Sequence, residues 1–282
     1  MTRPLLSVFG LKFNPFTPDI APDALWRTPE IEHFCWRVEQ QVRDGGFALI
    51  TGESGTGKSV ALRLLARHLQ TMPDIVVGAL SRPQSRTPDF YREMSEVFGV
   101  PVKVRFHWSS FKDLRLKWEA HLATTLWRPV LLIDEAQEMQ PEVLSELRLL
   151  SSTQLDSRSI LTVILSGDNR LLDLLRLPPL IPLGTRIGPR LTLDYAAPKQ
   201  LSELLTHLLS QAGNPRLMTP QLIATLCEHA AGNYRVLCHM SAELLAEGLR
   251  REIAQLDEKL YMEVFSPSSR SRSRTDARKL AP

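Results

Sequence analysis

The eight residues from Gly52 to Ser59, GESGTGKS, limit what this chain of 282 residues can be more tightly than any other stretch of it. They satisfy G-x-x-x-x-G-K-[ST] at every fixed position. The surroundings are those the pattern requires, with the apolar run GFALITG leading in and the amphipathic stretch SVALRLLARHL leading out. Glycines let backbone N–H groups turn inward around phosphate oxygens, and the N-terminus of the following helix adds a potential that favours anions. Gly52, Glu53, Ser54, Gly55, Thr56, Gly57, Lys58 and Ser59 are therefore candidate contacts for a nucleoside triphosphate. Lys58 is expected to reach the β- and γ-phosphates, and the Ser59 hydroxyl to ligate Mg2+. ATP and Mg2+ are the expected cofactors.

A second element completes this chemistry. In RPVLLIDEAQ, the apolar residues Val130 to Ile133 read as a buried strand, and Asp134 and Glu135 emerge at its C-terminal end. Ligands of open α/β sheets sit at that end. Asp134 is placed to hold Mg2+ through water, and Glu135 to orient and deprotonate an attacking water. A small-molecule kinase needs no base for water, so the second carboxylate favours hydrolysis of ATP to ADP and phosphate.

Around these motifs, apolar strands alternate with amphipathic helices. GFALITG, DIVVGAL, PVLLIDE, ILTVILSG and RLTLDY are the strand candidates. PEIEHFCWRVEQQVRDGG, TPDFYREMSEVFG and QPEVLSELRLLSS read as helices. Such alternation predicts an α/β fold, a parallel sheet joined by right-handed crossovers with helices on both faces. After Tyr195 the strands cease and three amphipathic helical stretches follow. The expected organisation is an extended N-terminal segment (1–28) packed on the core, an α/β core (29–196), a small all-helical lid (197–265), and a basic tail (266–282). The tail, SPSSRSRSRTDARKLAP, has too little apolar content to order itself.

Composition excludes some alternatives. No run of roughly 18 uncharged apolar residues is present, so no membrane span is expected. The N-terminus MTRPLLSVFG lacks the apolar centre of a secretion signal. A cytoplasmic location is the expectation. Three cysteines make no disulfide framework. Cys227, His229, Cys238 and His239 match no standard zinc spacing and read as packed helix side chains.

Taken together, FGLKFNPF, TGESGTGKS, LLIDEAQEMQPEVLSELRLLSS, ILTVILSGDNRL and GNYRVL resemble the AAA+ ATPases, over nearly the whole chain. They are similar to one bacterial branch, which contains ExeA-type secretion ATPases and transposon-encoded ATP-binding regulators of the TnsC, TniB and Mu B type. The resemblance implies a P-loop core followed by a helical lid. It implies that Asp168 or Asn169 lies near the γ-phosphate as sensor 1, and that Arg186, or else Arg190, in GTRIGPRL is an arginine finger. It implies that Arg235 in GNYR is sensor 2, over the nucleotide. A finger supplied from a neighbouring subunit makes hydrolysis depend on assembly. Self-association into a ring or a helical filament is therefore expected.

Three readings of the work compete, and the last of them is a nucleotide-dependent switch or sensor with little turnover. In the first, the protein assembles with ATP on duplex DNA and recruits or activates a transposase. In the second, it serves secretion or pilus assembly. The segment VPVKVRFHWSSFKDLRLKW favours DNA, with Lys103 and Arg105 the best candidates for phosphate contacts. Lys112, Arg115 and Lys117 recur at helical spacing, which a solvated helix face explains as well. Arg270, Arg272 and Arg274 of the tail add further candidates. No recognition helix with base-reading side chains is evident, so contacts are expected to be with phosphates and largely sequence-independent.

Overall fold

The computed structural model describes residues 2–99, 107–124, 128–153 and 158–265. The candidate DNA contacts Lys103, Arg105, Arg270, Arg272 and Arg274, and the rest of the tail, lie outside the described residues. Two compact units are present, one of residues 27–194 and one of residues 1–26 with 195–282.

In chain order, helix α1 spans Thr2–Phe9, α2 Pro29–Val42, strand β1 Gly46–Gly52, α3 Lys58–Gln70, β2 Ile75–Leu80, α4 Thr87–Phe98, α5 His107–Thr124, β3 Arg128–Ile133 and α6 Pro141–Ser151. The short pair β4 (Ser152–Thr153) and β5 (Arg158–Ser159) follows. Next come β6 (Thr162–Gly167), α7 (Asn169–Leu175), α8 (Ile181–Gly184) and β7 (Ile187–Leu193). Then α9 covers Pro198–Ala212, α10 Pro220–His229, α11 Tyr234–Arg250 and α12 Glu258–Phe265. Among the described residues, no helix is long and apolar enough to cross a membrane.

The α/β unit is built on a five-stranded sheet, in the order β2-β3-β6-β1-β7, with every pair parallel. Its central strands β3, β6 and β1 are buried on both faces, as strands covered by crossover helices are, whereas the end strand β7 alternates buried and exposed residues. Phe47, Leu49, Leu131, Ile133, Val163 and Leu165 point into the larger core, where Phe90, Tyr91 and Leu144 of α4 and α6 meet them. Ala48, Ile50, Val130 and Ile164 point to the opposite face and are equally buried. The end strand β7 carries a register shift against β1, between the pairs Phe47–Ile187 and Leu49–Arg190. Pro29 and Pro141 sit in the first turns of α2 and α6, where a missing N–H costs nothing.

Strand order positions the site. The phosphate-loop strand β1 and the carboxylate strand β3 are not neighbours, because β6 runs between them. The register places Thr51 beside Gly167 and Ile133 beside Leu165, so the three strands end within three residues of one another at the same edge of the sheet.

In the helical unit, α9 to α12 pack around Leu205, Leu209, Leu226, Leu244 and Leu256. The first 26 residues group with this unit, which corrects the expectation of an extended segment on the α/β core. They begin as helix α1, and Phe9 is buried. The carbonyl of Phe9 accepts from Asn214 Nδ2 (2.8 Å), and Lys12 N–H donates to Ala212 O (2.7 Å). Unpaired main-chain groups are costly when buried, and the C-terminal end of α9 supplies the partners for these.

Candidate nucleotide site

The turn between β1 and α3 has the shape the motif predicts. Gly55 and Gly57 adopt φ of +85° and +101°, a region that side chains other than glycine avoid, and Gly57 is the N-cap of α3. Thr56 Oγ1 donates to Glu53 O (2.9 Å) and closes the loop on itself. Lys58 is 7% exposed, and its ammonium donates to Gly52 O (2.9 Å) and Glu53 O (3.1 Å). Both partners are neutral carbonyls, so no acid of the loop competes with a phosphate for this side chain. It also spans the loop, so the loop's own carbonyls aim its charge.

Across β6, the Ser59 hydroxyl donates to Asp134 Oδ2 (2.7 Å). The hydroxyl of Ser166, on β6 itself, donates to Asp134 Oδ1 (2.9 Å). Each carboxylate oxygen of Asp134 thus has a fixed donor. Ser59 gives its single proton to Asp134, which leaves its oxygen lone pairs free for a cation. A hard oxygen set of one hydroxyl and one carboxylate, keeping room for waters, suits Mg2+. Among the described residues no group of three or more His, Cys, Asp or Glu is arranged to hold a metal by protein ligands alone.

Glu135 follows Asp134 in a left-handed conformation, φ +52°, and its side chain is exposed at the end of β3. On the neighbouring strand end, Asp168 caps α7 by accepting from Arg170 N–H (2.9 Å). The Arg170 guanidinium bonded to Asp168 holds its carboxyl below the usual carboxylate range. Asp168 is thereby committed to Arg170. Asn169 Nδ2, in contrast, donates to Glu53 Oε1 of the phosphate loop (2.6 Å). Of the two sensor-1 candidates, the structure brings Asn169 to the loop.

The arginine candidates lie elsewhere. Arg186 directly precedes β7, and Arg190 is within it, its Nη2 donating to Gly184 O (3.2 Å). Because β7 runs parallel to β1, Arg186 stands at the level where β1 begins and the phosphate loop at the level where β1 ends. Six strand residues at roughly 3.3 Å each separate them. Arg235 lies in the helical unit at the start of α11, its N–H donating to Asn233 Oδ1 (3.0 Å). Ser166 and Gln137 are site residues that sequence reasoning missed. Ser166 carries no motif signal, whereas Gln137 stands inside the quoted stretch LLIDEAQ.

The comparisons with known proteins agree with this geometry. The family model described as "AAA domain" matches residues 41–175, which contain the phosphate loop, Asp134, Glu135 and the end of β6. Two solved structures share the fold. The Aeropyrum pernix ORC2 protein (ADPNP-ADP complexes) superposes with a TM-score of 0.71 at 15% identity, over 90% of this chain and 71% of that one. The Aeropyrum pernix ORC1 protein in complex with DNA does so with a TM-score of 0.68 at 16% identity, over 95% and 72%. This is an AAA+ P-loop fold. Among curated proteins, this chain is similar to General secretion pathway protein A of Aeromonas hydrophila. The two are 30% identical over 239 residues, 81% of this chain and 42% of that protein. The chain therefore spans less than half the length of that relative.

Proposed function

We propose that this AAA+ chain hydrolyses ATP and uses the nucleotide cycle to assemble on duplex DNA as a regulator of transposition. The observation that carries the hydrolytic part is the convergence of Ser59, Ser166 and Asp134 beside the exposed carboxylate of Glu135. Lys58 and the loop amides bind the phosphates. Mg2+, when bound, neutralises charge on the phosphate oxygens. Glu135 accepts the proton of a water whose oxygen attacks the γ-phosphorus. The bond from that phosphorus to the bridging oxygen breaks, and ADP leaves with the electron pair.

The finger role of Arg186, or else Arg190, is supported by the place of Arg186 at the end of the sheet opposite its own phosphate loop. A finger supplied to a neighbouring subunit's phosphates ties turnover to self-association into a ring or filament. Arg235 acts as the sensor of nucleotide in the helical lid. Contacts with DNA phosphates by Lys103, Arg105, Arg270, Arg272 and Arg274 are supported by their charge and by the fold shared with an ORC1 protein crystallised with DNA. A transposase is the partner in this reading.

A second reading, an ATPase for secretion or pilus assembly, is favoured by the similarity to General secretion pathway protein A. Duplex binding separates the two. Fluorescence anisotropy with ATP, ADP and no nucleotide is expected to show ATP-dependent binding. Its log affinity is expected to fall with log salt by about 0.9 per neutralised phosphate. No ATP-dependent binding at low salt removes the transposition reading in favour of secretion. The hydrolytic core is tested by Glu135→Gln, which is expected to bind ATP normally and lose at least about 100-fold in turnover.

A further inference from the structure

Gln137 lies two residues past Glu135, in a short 3-10 turn, Ala136–Glu138. Its half-buried side chain makes two bonds. Nε2 donates to Glu135 Oε2 (2.5 Å), and Oε1 accepts from the backbone N–H of Asp168 (3.2 Å). An ionised carboxylate only accepts and a peptide N–H only donates, so one orientation of the amide serves both partners. Sterics permit the second bond. A Cβ built on Gly167 would lie 2.5 Å from Gln137 Oε1, so the end of β6 admits this amide because it carries no side chain.

Glu135 needs such a partner. It is exposed, and an exposed carboxylate on two flexible methylenes samples several rotamers unless something holds it. Its left-handed backbone costs a non-glycine residue on the order of 1 kcal/mol or more, and surrounding bonds must maintain it. One of its oxygens takes the Gln137 amide, which leaves the other for a proton.

We propose that Gln137 is a positioning residue for hydrolysis, fixing the Glu135 carboxylate and tying it to the Asp168–Asn169 turn at the end of β6. The inference rests on the reading of Glu135 as the base. The tie is reinforced from the other side. Arg170, one residue past Asn169, pairs with both Asp168 (2.8 Å) and Glu138 (2.9 Å), so the turn holding Gln137 and the start of α7 are joined twice. A displacement of that turn is therefore transmitted to the base through one side chain.

The test uses the full chain with Gln137→Ala, Gln137→Met and Glu135→Gln, alone and combined. Met keeps the length of Gln and fills its space without either hydrogen bond. Gln137→Met and Gln137→Ala are expected to lower kcat for ATP by roughly 10-fold, the loss of one charge-assisted bond. KM and the affinity for a fluorescent ATP analogue are expected to stay within about twofold, and the melting temperature of the Met variant within about 3 °C. Adding Gln137→Met to Glu135→Gln is expected to lower the residual turnover, followed at high enzyme concentration, by less than about twofold. Turnover of Gln137→Met near the wild-type rate, or a further full 10-fold loss in the Glu135→Gln background, overturns the positioning role while the hydrolytic reading stands. A rise in kcat overturns it as well, because the amide would then restrain the base. Wild-type turnover in Glu135→Gln overturns the reading of the base itself.

Discussion

The two units hold their polar side chains in opposite ways. In the helical unit most polar bonds join residues within one helical turn: Thr219 caps α10, Asn233 caps α11, and Glu247 pairs with Arg250 and Arg251. In the α/β unit the bonds that matter cross the chain. Ser59 meets Asp134 from 75 residues away, Ser166 meets it from 32, and Asn169 meets Glu53 from 116. Local bonds stabilise an element, and their loss is felt as stability. Bonds between strand ends assemble a site, and their loss is felt as rate. Chemistry gathers where β1, β6 and β3 end together, because a parallel sheet brings distant residues to one edge with their directions fixed.

This contrast is broken or sharpened by substitution. The largest effect is expected from Asp134→Ala, which strips the acceptor from two hydroxyls. At about 1.5 kcal/mol for each bond to a charged group, turnover is expected to fall by at least about 100-fold. Calorimetry is expected to show a melting temperature changed by no more than about 3 °C; a collapse in stability instead would mean that the network is structural. Ser166→Ala removes one of the two bonds, and a loss of about 10-fold in kcat is expected from the same arithmetic. Steady-state ATPase assays with the nucleotide affinity measured in parallel would check both.

In the helical unit the pattern is expected to invert. Thr219 Oγ1 accepts from Leu222 N–H (3.2 Å), and Thr219→Ala is expected to cost about 1 kcal/mol of stability. Turnover per folded molecule is expected to be unchanged, so a drop in kcat at low temperature would count against the contrast. The smallest effect concerns pH. Side-chain hydrogen bonds from Arg250, then from Arg251, lower Glu247 to about 2. A depressed carboxylate stabilises the fold above its unfolded pKa, and that contribution is lost as pH falls through the folded value. Glu247→Gln is therefore expected to flatten the acid side of the stability profile between about pH 4.5 and about pH 2, by a degree or two in melting temperature. An unchanged profile would show that solvent screens these exposed arginines fully.

How much was legible in advance follows the same division. The phosphate loop and the Asp134-Glu135 pair were readable because their chemistry is carried by neighbours in sequence. The five long strands were readable from apolar runs, although β7 begins three residues before the stretch that suggested it. Strand order was not readable, and with it went Ser166, whose role exists only because β6 lies beside β3. Gln137 had the local signal of standing two residues past Glu135, but its second partner, Asp168 N–H, comes from another strand. Helix α1 was missed because Phe9 and its neighbours find their partners some 200 residues later. Helix α12 did leave a mark: Asp257, just before it, accepts from Leu260 N–H (2.9 Å), a cap three residues ahead of an apolar position.

The register shift in β7 has a consequence outside catalysis. β7 is a terminal strand of the sheet, and an unpaired strand edge is a template on which other chains can add strands and aggregate. This edge is blunted by its own sequence. Pro189, within the shift, has no N–H to offer a docking strand, the irregular register bends the edge out of line, and Arg190 places an exposed charge beside it. The segment proposed to serve a neighbouring subunit's nucleotide is thus also built to refuse that neighbour as a sheet partner, so copies of this chain can meet along this side without fusing into a continuous sheet.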